Sequence, residues 1–299
     1  MDPTTVSAAT AAAGVAGAAV AATSDAVTAA TAAATAAGGA ASAVSAASSL
    51  PPTGLGLVLA KVSWFINVPG FYIALAFGLT FTILRLVKIF GSGPAPYQLA
   101  IYPAEKHPVL AALRDALGMP QVRKRDPVFW AFLVVFHLGL LGIVLGHVDI
   151  LPEVSIVGEA SRDMVGSGVF GLMVTVPVFY FIGRRFRSPV REISTPGDYL
   201  LLLLLLFTFL LGDLMSWGNS WTTQGFVMTK ADFSRYFDGL LRFRFEDPRA
   251  YLHGTHYHFL TLHLLLAEAV LMVLPFTKVM HAFLSIPVNA VRRRIWTKH

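Results

Sequence analysis

The chain has 299 residues, of which 55% are hydrophobic and only 13% charged, against about a quarter charged in an ordinary soluble domain. That balance makes it an all-α integral membrane protein, so its net charge of +6 reports topology rather than affinity for nucleic acid. It contains no cysteine, which excludes disulfides, thiolate-held Fe–S clusters and covalent haem attachment on this chain; a metal must be held by His, Met, carboxylates or backbone.

Residues 1–50 are of low complexity: apart from Met1, Asp2, Pro3, Asp25 and Leu50, every one is Ala, Ser, Thr, Val or Gly. No Lys or Arg opens the segment and no compact Leu-rich stretch follows, so it does not read as a signal peptide. Residues 1–55 are expected to be a disordered or loosely helical extension rather than a further span, closed by Pro51-Pro52-Thr53-Gly54.

Residues 56–299 read as a bundle of five transmembrane helices, each near the roughly 20 residues that cross a hydrocarbon core. The spans are expected at 64–86, 128–148, 165–183, 199–217 and 258–281, the fourth carrying Leu200 to Leu206 in an unbroken run. Basic residues fix their orientation. Lys88, Lys106, Arg114, Arg123, Lys124 and Arg125 follow the first span, Arg184, Arg185, Arg187 and Arg191 the third, and Arg292, Arg293, Arg294 and Lys298 the fifth. The positive-inside rule puts these segments in the cytoplasm, the N-terminus outside and the C-terminus inside a prokaryotic cytoplasmic membrane. The loop after span two agrees, with Asp149, Glu153, Glu159 and Asp163 against Arg162. In the outer loop 218–257, residues 233–241 are expected to form an amphipathic helix along the membrane surface.

The chemistry lies in histidines. His137 and His147 stand ten residues apart in span two, and His263 and His281 stand eighteen apart in span five. Ionisable residues inside spans are rare and usually functional, and neutral imidazole is a common ligand of haem iron. Span two runs outward and span five inward, so His147 shares a depth with His263 and His137 with His281. Eighteen residues make five whole turns, which puts His263 and His281 on one side of an ideal helix, with Pro275 able to kink it. A lone intramembrane histidine is ordinarily a hydrogen-bonded interior residue. Four matched in depth across two antiparallel helices favour bis-histidine ligation of two b-type haems. Gly139, Gly142 and Gly146 let either a flat macrocycle or another helix approach span two.

At the outer face, Asp149, Glu153, Glu159, Asp213 and the cluster His253, His256 and His258 are candidate proton acceptors. For each acidic residue a solvated surface is the commoner outcome. Glu268 lies within span five, where a carboxylate is costly unless protonated or paired; a haem edge, a water chain or a basic partner are the candidates for what it faces. The triplet Arg292-Arg293-Arg294 is suited to anionic lipid headgroups or to a docked partner.

The stretch from Phe136-His137-Leu138-Gly139 to Gly146-His147 resembles the gamma subunit family of respiratory nitrate reductase, the dihaem cytochrome b. So do His263, Leu274-Pro275-Phe276, His281, Ile286-Pro287-Val288, and Ser188-Pro189 leading to Ser194-Thr195-Pro196-Gly197-Asp198. The resemblance covers about residues 62–299. It implies two b haems, the outer on His147 and His263 and the inner on His137 and His281. It further implies oxidation of menaquinol or ubiquinol from the quinone pool beside the outer haem, with room for the ring at Gly146. Electrons would then pass to a cytoplasmic-side Fe–S partner subunit.

The chain also departs from the nitrate reductase pattern. The quinol site there uses a lysine in the loop after span two, where this chain has no lysine and Arg162 is the only basic residue. Arg162, Glu159, Asp149 and His258 are therefore only weak catalytic candidates. The Ser194–Tyr199 entry to the Leu-rich span resembles the cytochrome b subunits of sulfur-metabolising anaerobes, so the terminal acceptor, nitrate or sulfur compounds, stays open. The competing classes are a haem-free membrane anchor and a proton-relay or transport protein. An anchor needs no histidines matched in depth, and no internal repeat of the kind transporters commonly show is evident.

Overall fold

The computed structural model describes residues 54–92, 105–149, 168–221, 226–227, 230–250 and 256–294. The chain divides into two units, Met1–Leu57 and Val58–His299, and of the first only the opening turn of a helix is described. The expected N-terminal extension, the acidic loop bearing Glu153, Glu159 and Arg162, and His253 lie outside the described residues.

Among the described residues every regular element is helical. In chain order they are α1 (Gly54–Phe65), a π-helical turn (Ile66–Gly70), α2 (Phe71–Gly91), α3 (Pro108–Gly118), α4 (Pro120–Arg125), α5 (Pro127–Asp149), α6 (Val169–Arg185), α7 (Pro196–Trp221), α8 (Lys230–Leu241), α9 (Tyr257–Val273) and α10 (His281–Arg294). Proline opens α3, α4, α5 and α7, where its fixed φ suits the first helical position and its missing N–H costs nothing. The entries to α5 and α7 are capped as well. Asp126 accepts the Phe129 N–H at 2.9 Å, and Asp198 accepts the Thr195 N–H at 3.0 Å.

Among the described residues, four stretches are long and apolar enough to cross a membrane: Gly54–Gly91, Pro127–Asp149, Pro196–Gly218 and Tyr257–Phe276. They correspond to the expected first, second, fourth and fifth spans, although the first begins nearly three helical turns before residue 64. The expected third span is α6, a helix of 17 residues with Pro177 inside it. Large apolar side chains line the outer faces of these helices, Ile83, Val87, Leu138, Leu141 and Leu200 among them. Such a surface suits lipid, not water.

The helices pack in the order α5, α6, α7, α9, α2. Val174, Val178, Leu206 and Phe209 form the core between α6 and α7, with Phe136 and Leu140 of α5 against them. Tight approach comes from glycine. A Cβ on Gly139 would sit 2.7 Å from the Met173 Cβ, and one on Gly142 would sit 2.3 Å from the Phe170 ring. Of the two uses expected for these glycines, helix packing is the one found.

The segment bearing His281 differs from expectation. Span five does not run unbroken to residue 281: α9 ends at Val273, two 3-10 turns follow (Leu274–Phe276 and Lys278–Met280), and His281 begins α10. Pro275 supplies no N–H, and Thr277 between the turns is extended at φ −108°, ψ 174°. The five-turn ideal helix linking His263 to His281 is therefore replaced by a break.

At the C-terminal end, α10 packs on α3. Arg293 is buried there, facing Glu105 at 3.4 Å and paired with Asp115. Its expected roles toward lipid or a partner give way to an internal clamp, while Arg292 is exposed. The amphipathic segment forms as expected, as α8.

Candidate haem and quinol site

Each of the four histidines gives its Nδ1 to a backbone carbonyl. His137 reaches Leu133 O at 2.7 Å, His147 reaches Ile143 O at 2.8 Å, His263 reaches Thr208 O at 2.9 Å and His281 reaches Lys278 O at 2.8 Å. A carbonyl only accepts, so each Nδ1 carries the proton and each Nε2 keeps its lone pair. A metal-binding imidazole is normally prepared in this way, its second nitrogen fixing tautomer and ring orientation.

One of the two expected pairs has its rings close together. The centroids of His137 and His281 are 6.2 Å apart with planes at 79°. An imidazole nitrogen binds a transition metal at about 2 Å and lies about 1 Å from its ring centroid, so two imidazoles sharing one ion keep their centroids roughly 6 Å apart. The His137 and His281 pair therefore fits a bis-imidazole site. The break after Val273 does not spoil it, because the Lys278–Met280 turn supplies both the carbonyl and the start of the helix from which His281 projects.

Two contributors escaped the sequence reading. A Cβ on Gly212 would lie 3.3 Å from the His263 Cε1, so this glycine lets the ring rest against α7, and the anchoring carbonyl of Thr208 sits one turn before it. A glycine and a threonine four apart in a leucine-rich helix were the available signal. The second contributor is Asp198. It is buried, meets Lys278 Nζ at 2.9 Å and Arg185 at 3.4 Å, and so ties α7 to the turn that orients His281.

The candidate proton acceptors scatter. Asp149 ends α5, buried and two residues from His147. His258 is exposed in the first turn of α9, against Tyr257. His256 stacks on Phe226 at 4.1 Å. Asp213 faces away from any solvent-facing role: it is buried between α6 and α7, where it accepts the Thr175 hydroxyl at 2.8 Å. Gly171 makes room for it, since a Cβ there would fall 1.5 Å from Oδ1. Gly146 is buried on α5.

Comparison with known proteins follows the same residues. The family described as nitrate reductase gamma subunit matches residues 120–297, which include all four histidines. The respiratory nitrate reductase 2 gamma chain of Escherichia coli (strain K12) is 28% identical over 180 residues, covering 57% of this chain and 76% of that one. The nitrate reductase gamma chain of Bacillus subtilis (strain 168) is 30% identical over 169 residues, covering 53% and 73%.

Proposed function

The chain belongs to the nitrate reductase gamma subunit family, and we propose that it is the membrane cytochrome b subunit of a respiratory oxidoreductase complex. In this reading it oxidises a quinol near the outer face and delivers electrons to a cytoplasmic-side Fe–S partner subunit. The observation that carries the reading is the set of four imidazoles, each with Nδ1 given to a carbonyl and Nε2 left to bind. His147 and His263 would hold an outer b haem and His137 and His281 an inner one. Bound there, the haems would supply one-electron carriers with both axial positions filled, closed to oxygen chemistry.

The chain's own residues do the rest. α5 carries His137 and His147, while α9 carries His263 and the start of α10 carries His281; α6 is taken as the third of the five spans, at about 25 Å of helical rise. Thr208 and Lys278 carbonyls keep the imidazoles in the ligating tautomer. Asp149, two residues after His147, and His258, in the first turn of α9, are the candidate acceptors of quinol protons on the outer side, with Arg162 and Glu159 in the sequence that follows Asp149 as weaker ones. Gly146 leaves space next to His147 for a quinone ring. Protons released outside while electrons move inward would build membrane potential. The matched relatives are nitrate reductase gamma chains, which favours a nitrate-reducing partner over one acting on sulfur compounds.

A dithionite-reduced minus oxidised spectrum, with pyridine haemochrome quantitation, tests the reading on the purified protein and on His147→Ala and His281→Ala. A b-type spectrum, halved in haem content by each substitution, is expected. A folded, partner-complete preparation without haem overturns it in favour of a haem-free anchor or proton relay.

A further inference from the structure

Glu268 sits in the middle of α9, and no basic side chain meets it among the described residues. It instead faces the π-helical turn of the first span. Around the place where a Gly70 Cβ would stand, Glu268 Oε2 lies at 3.0 Å, Phe65 O at 3.1 Å and Glu268 Oε1 at 3.2 Å. All three are acceptors. Glu268 Oε1 is buried without a hydrogen-bond partner, and so is Asn67 Oδ1 one turn away on a fully buried residue. Acceptors gathered in a dry site repel one another unless something positive or something donating stands among them.

A polar seam leads outward from this notch. Asn67 Nδ2 donates to Ser63 Oγ at 3.4 Å, and the Ser63 and Thr261 hydroxyls hydrogen-bond to each other at 2.8 Å. The Tyr236 hydroxyl of α8 donates to the Asn67 carbonyl. Ser63, Asn67 and Gly70 recur on one side of the first span, Thr261 and Glu268 on the facing side of α9. In the inward direction the seam stops: a Cβ on Gly78 would stand 2.9 Å from Leu271 O and 3.0 Å from its side chain, so the two helices close on each other.

We propose that Glu268, with the Phe65 carbonyl and Asn67, forms an intramembrane proton-binding site that exchanges protons with the outer face through Ser63, Thr261 and water, and is shut toward the cytoplasm. The step is simple in balance: the carboxylate takes one proton from the outer aqueous phase and becomes a carboxylic acid, whose O–H then donates to one of the orphaned acceptors. A protonated carboxyl is the one state of Glu268 that turns an all-acceptor cluster into a satisfied one. Intramembrane ionisable groups commonly mark proton routes, and single π turns inside helices occur often at functional sites.

Of the charged and titratable groups on the packed elements, Lys61 of the first span is exposed, and Tyr257 and the exposed His258 pack against each other in the first turn of α9. On the first span Tyr72 donates to Leu240 O and Arg85 to Pro275 O, and Lys88 lies in the last turn of α2. On α7 Asp213 holds Thr175 and Asp198 holds Lys278, and Tyr199 donates to Arg185 O. On Glu268's own helix, His263 gives Nδ1 to Thr208 O. Glu268 follows His263 by five residues, about 7.5 Å along the axis.

Infrared difference spectroscopy on the full chain in lipid nanodiscs tests the site, with and without its haems. The wild type minus Glu268→Gln spectrum at neutral pH is expected to show a protonated-carboxyl C=O band that shifts in D2O. Gly70→Ala, which puts a methyl group into the notch, is expected to move that band. Ser63→Ala with Thr261→Val is expected to slow its exchange with deuterium. Absence of the band, or its removal by sodium ion at constant pH, overturns the proposal, the second outcome in favour of a sodium site. Since the band is read without turnover, its loss and a lack of haem are separate results.

Discussion

The two histidines of the fifth segment, His263 and His281, are held by different means. His263 takes its orientation from another helix: its Nδ1 donates to Thr208 O of α7, and Gly212 of the same helix admits its ring. His281 takes its orientation from its own neighbourhood, through the Lys278 carbonyl three residues back, on a turn that follows a broken helix. His263, proposed for the outer haem, is thus tied to the packing of α7 on α9, and His281, proposed for the inner haem, to one local turn and the side chains that steady it. Substitutions in α7 should separate the two.

The largest effect is expected at Gly212→Val. Its Cβ would already crowd the His263 ring at 3.3 Å, and the added methyl groups enlarge the side chain beside that ring. Haem content should fall by half, with the outer haem lost and the inner retained, measured by pyridine haemochrome and by redox titration of the remaining band. Loss of both haems in a folded protein would mean that the two sites are not independent.

A middle effect is expected at Asp198→Ala. This buried carboxylate receives the Thr195 N–H at 3.0 Å, the Thr195 hydroxyl at 3.1 Å and Lys278 Nζ at 2.9 Å. A hydrogen bond to a charged group is worth about 1.5–3 kcal/mol, and solvent around the exposed Lys278 lowers its share. The N-terminal cap of α7 is weakened and the turn before His281 loosens. The inner haem should shift in potential or broaden in its spectrum, with the outer haem unchanged, and the thermal transition in detergent should fall.

What the sequence made legible follows the same division. The depth pairing of the histidines needed only helix lengths and the direction of the chain, and both are carried by local pattern: apolar runs, capped and proline-led entries, basic loops. The break after Val273 was harder. Pro275 was visible, but whether proline kinks a helix or ends it depends on what takes up the freed carbonyls. Here Arg85, reaching from the first span to Pro275 O, takes one of them. The glycines of α5 were equally silent about their use, since a macrocycle and a neighbouring helix both ask for a small residue. The meeting of Gly139 with Met173 and of Gly142 with Phe170 decides it by long-range packing. Asp213 likewise read as an outer-face acid until Thr175 and Gly171 of α6 closed over it.

The smallest effect sharpens the comparison most. Thr208 contributes its carbonyl to His263, while its hydroxyl donates to Leu204 O at 2.7 Å within α7. Thr208→Val keeps the backbone and the side-chain shape and removes only the hydroxyl. Loss of one such bond costs about 1 kcal/mol, and in a helix the Leu204 carbonyl keeps its own backbone donor. Both haems should therefore stay, with unchanged potentials, beside the halved content of Gly212→Val one turn away. A lost or shifted outer haem in Thr208→Val would show that the hydroxyl, through the geometry of its helical turn, sets the position of the anchoring carbonyl. The outer site would then depend on local detail as much as the inner one does.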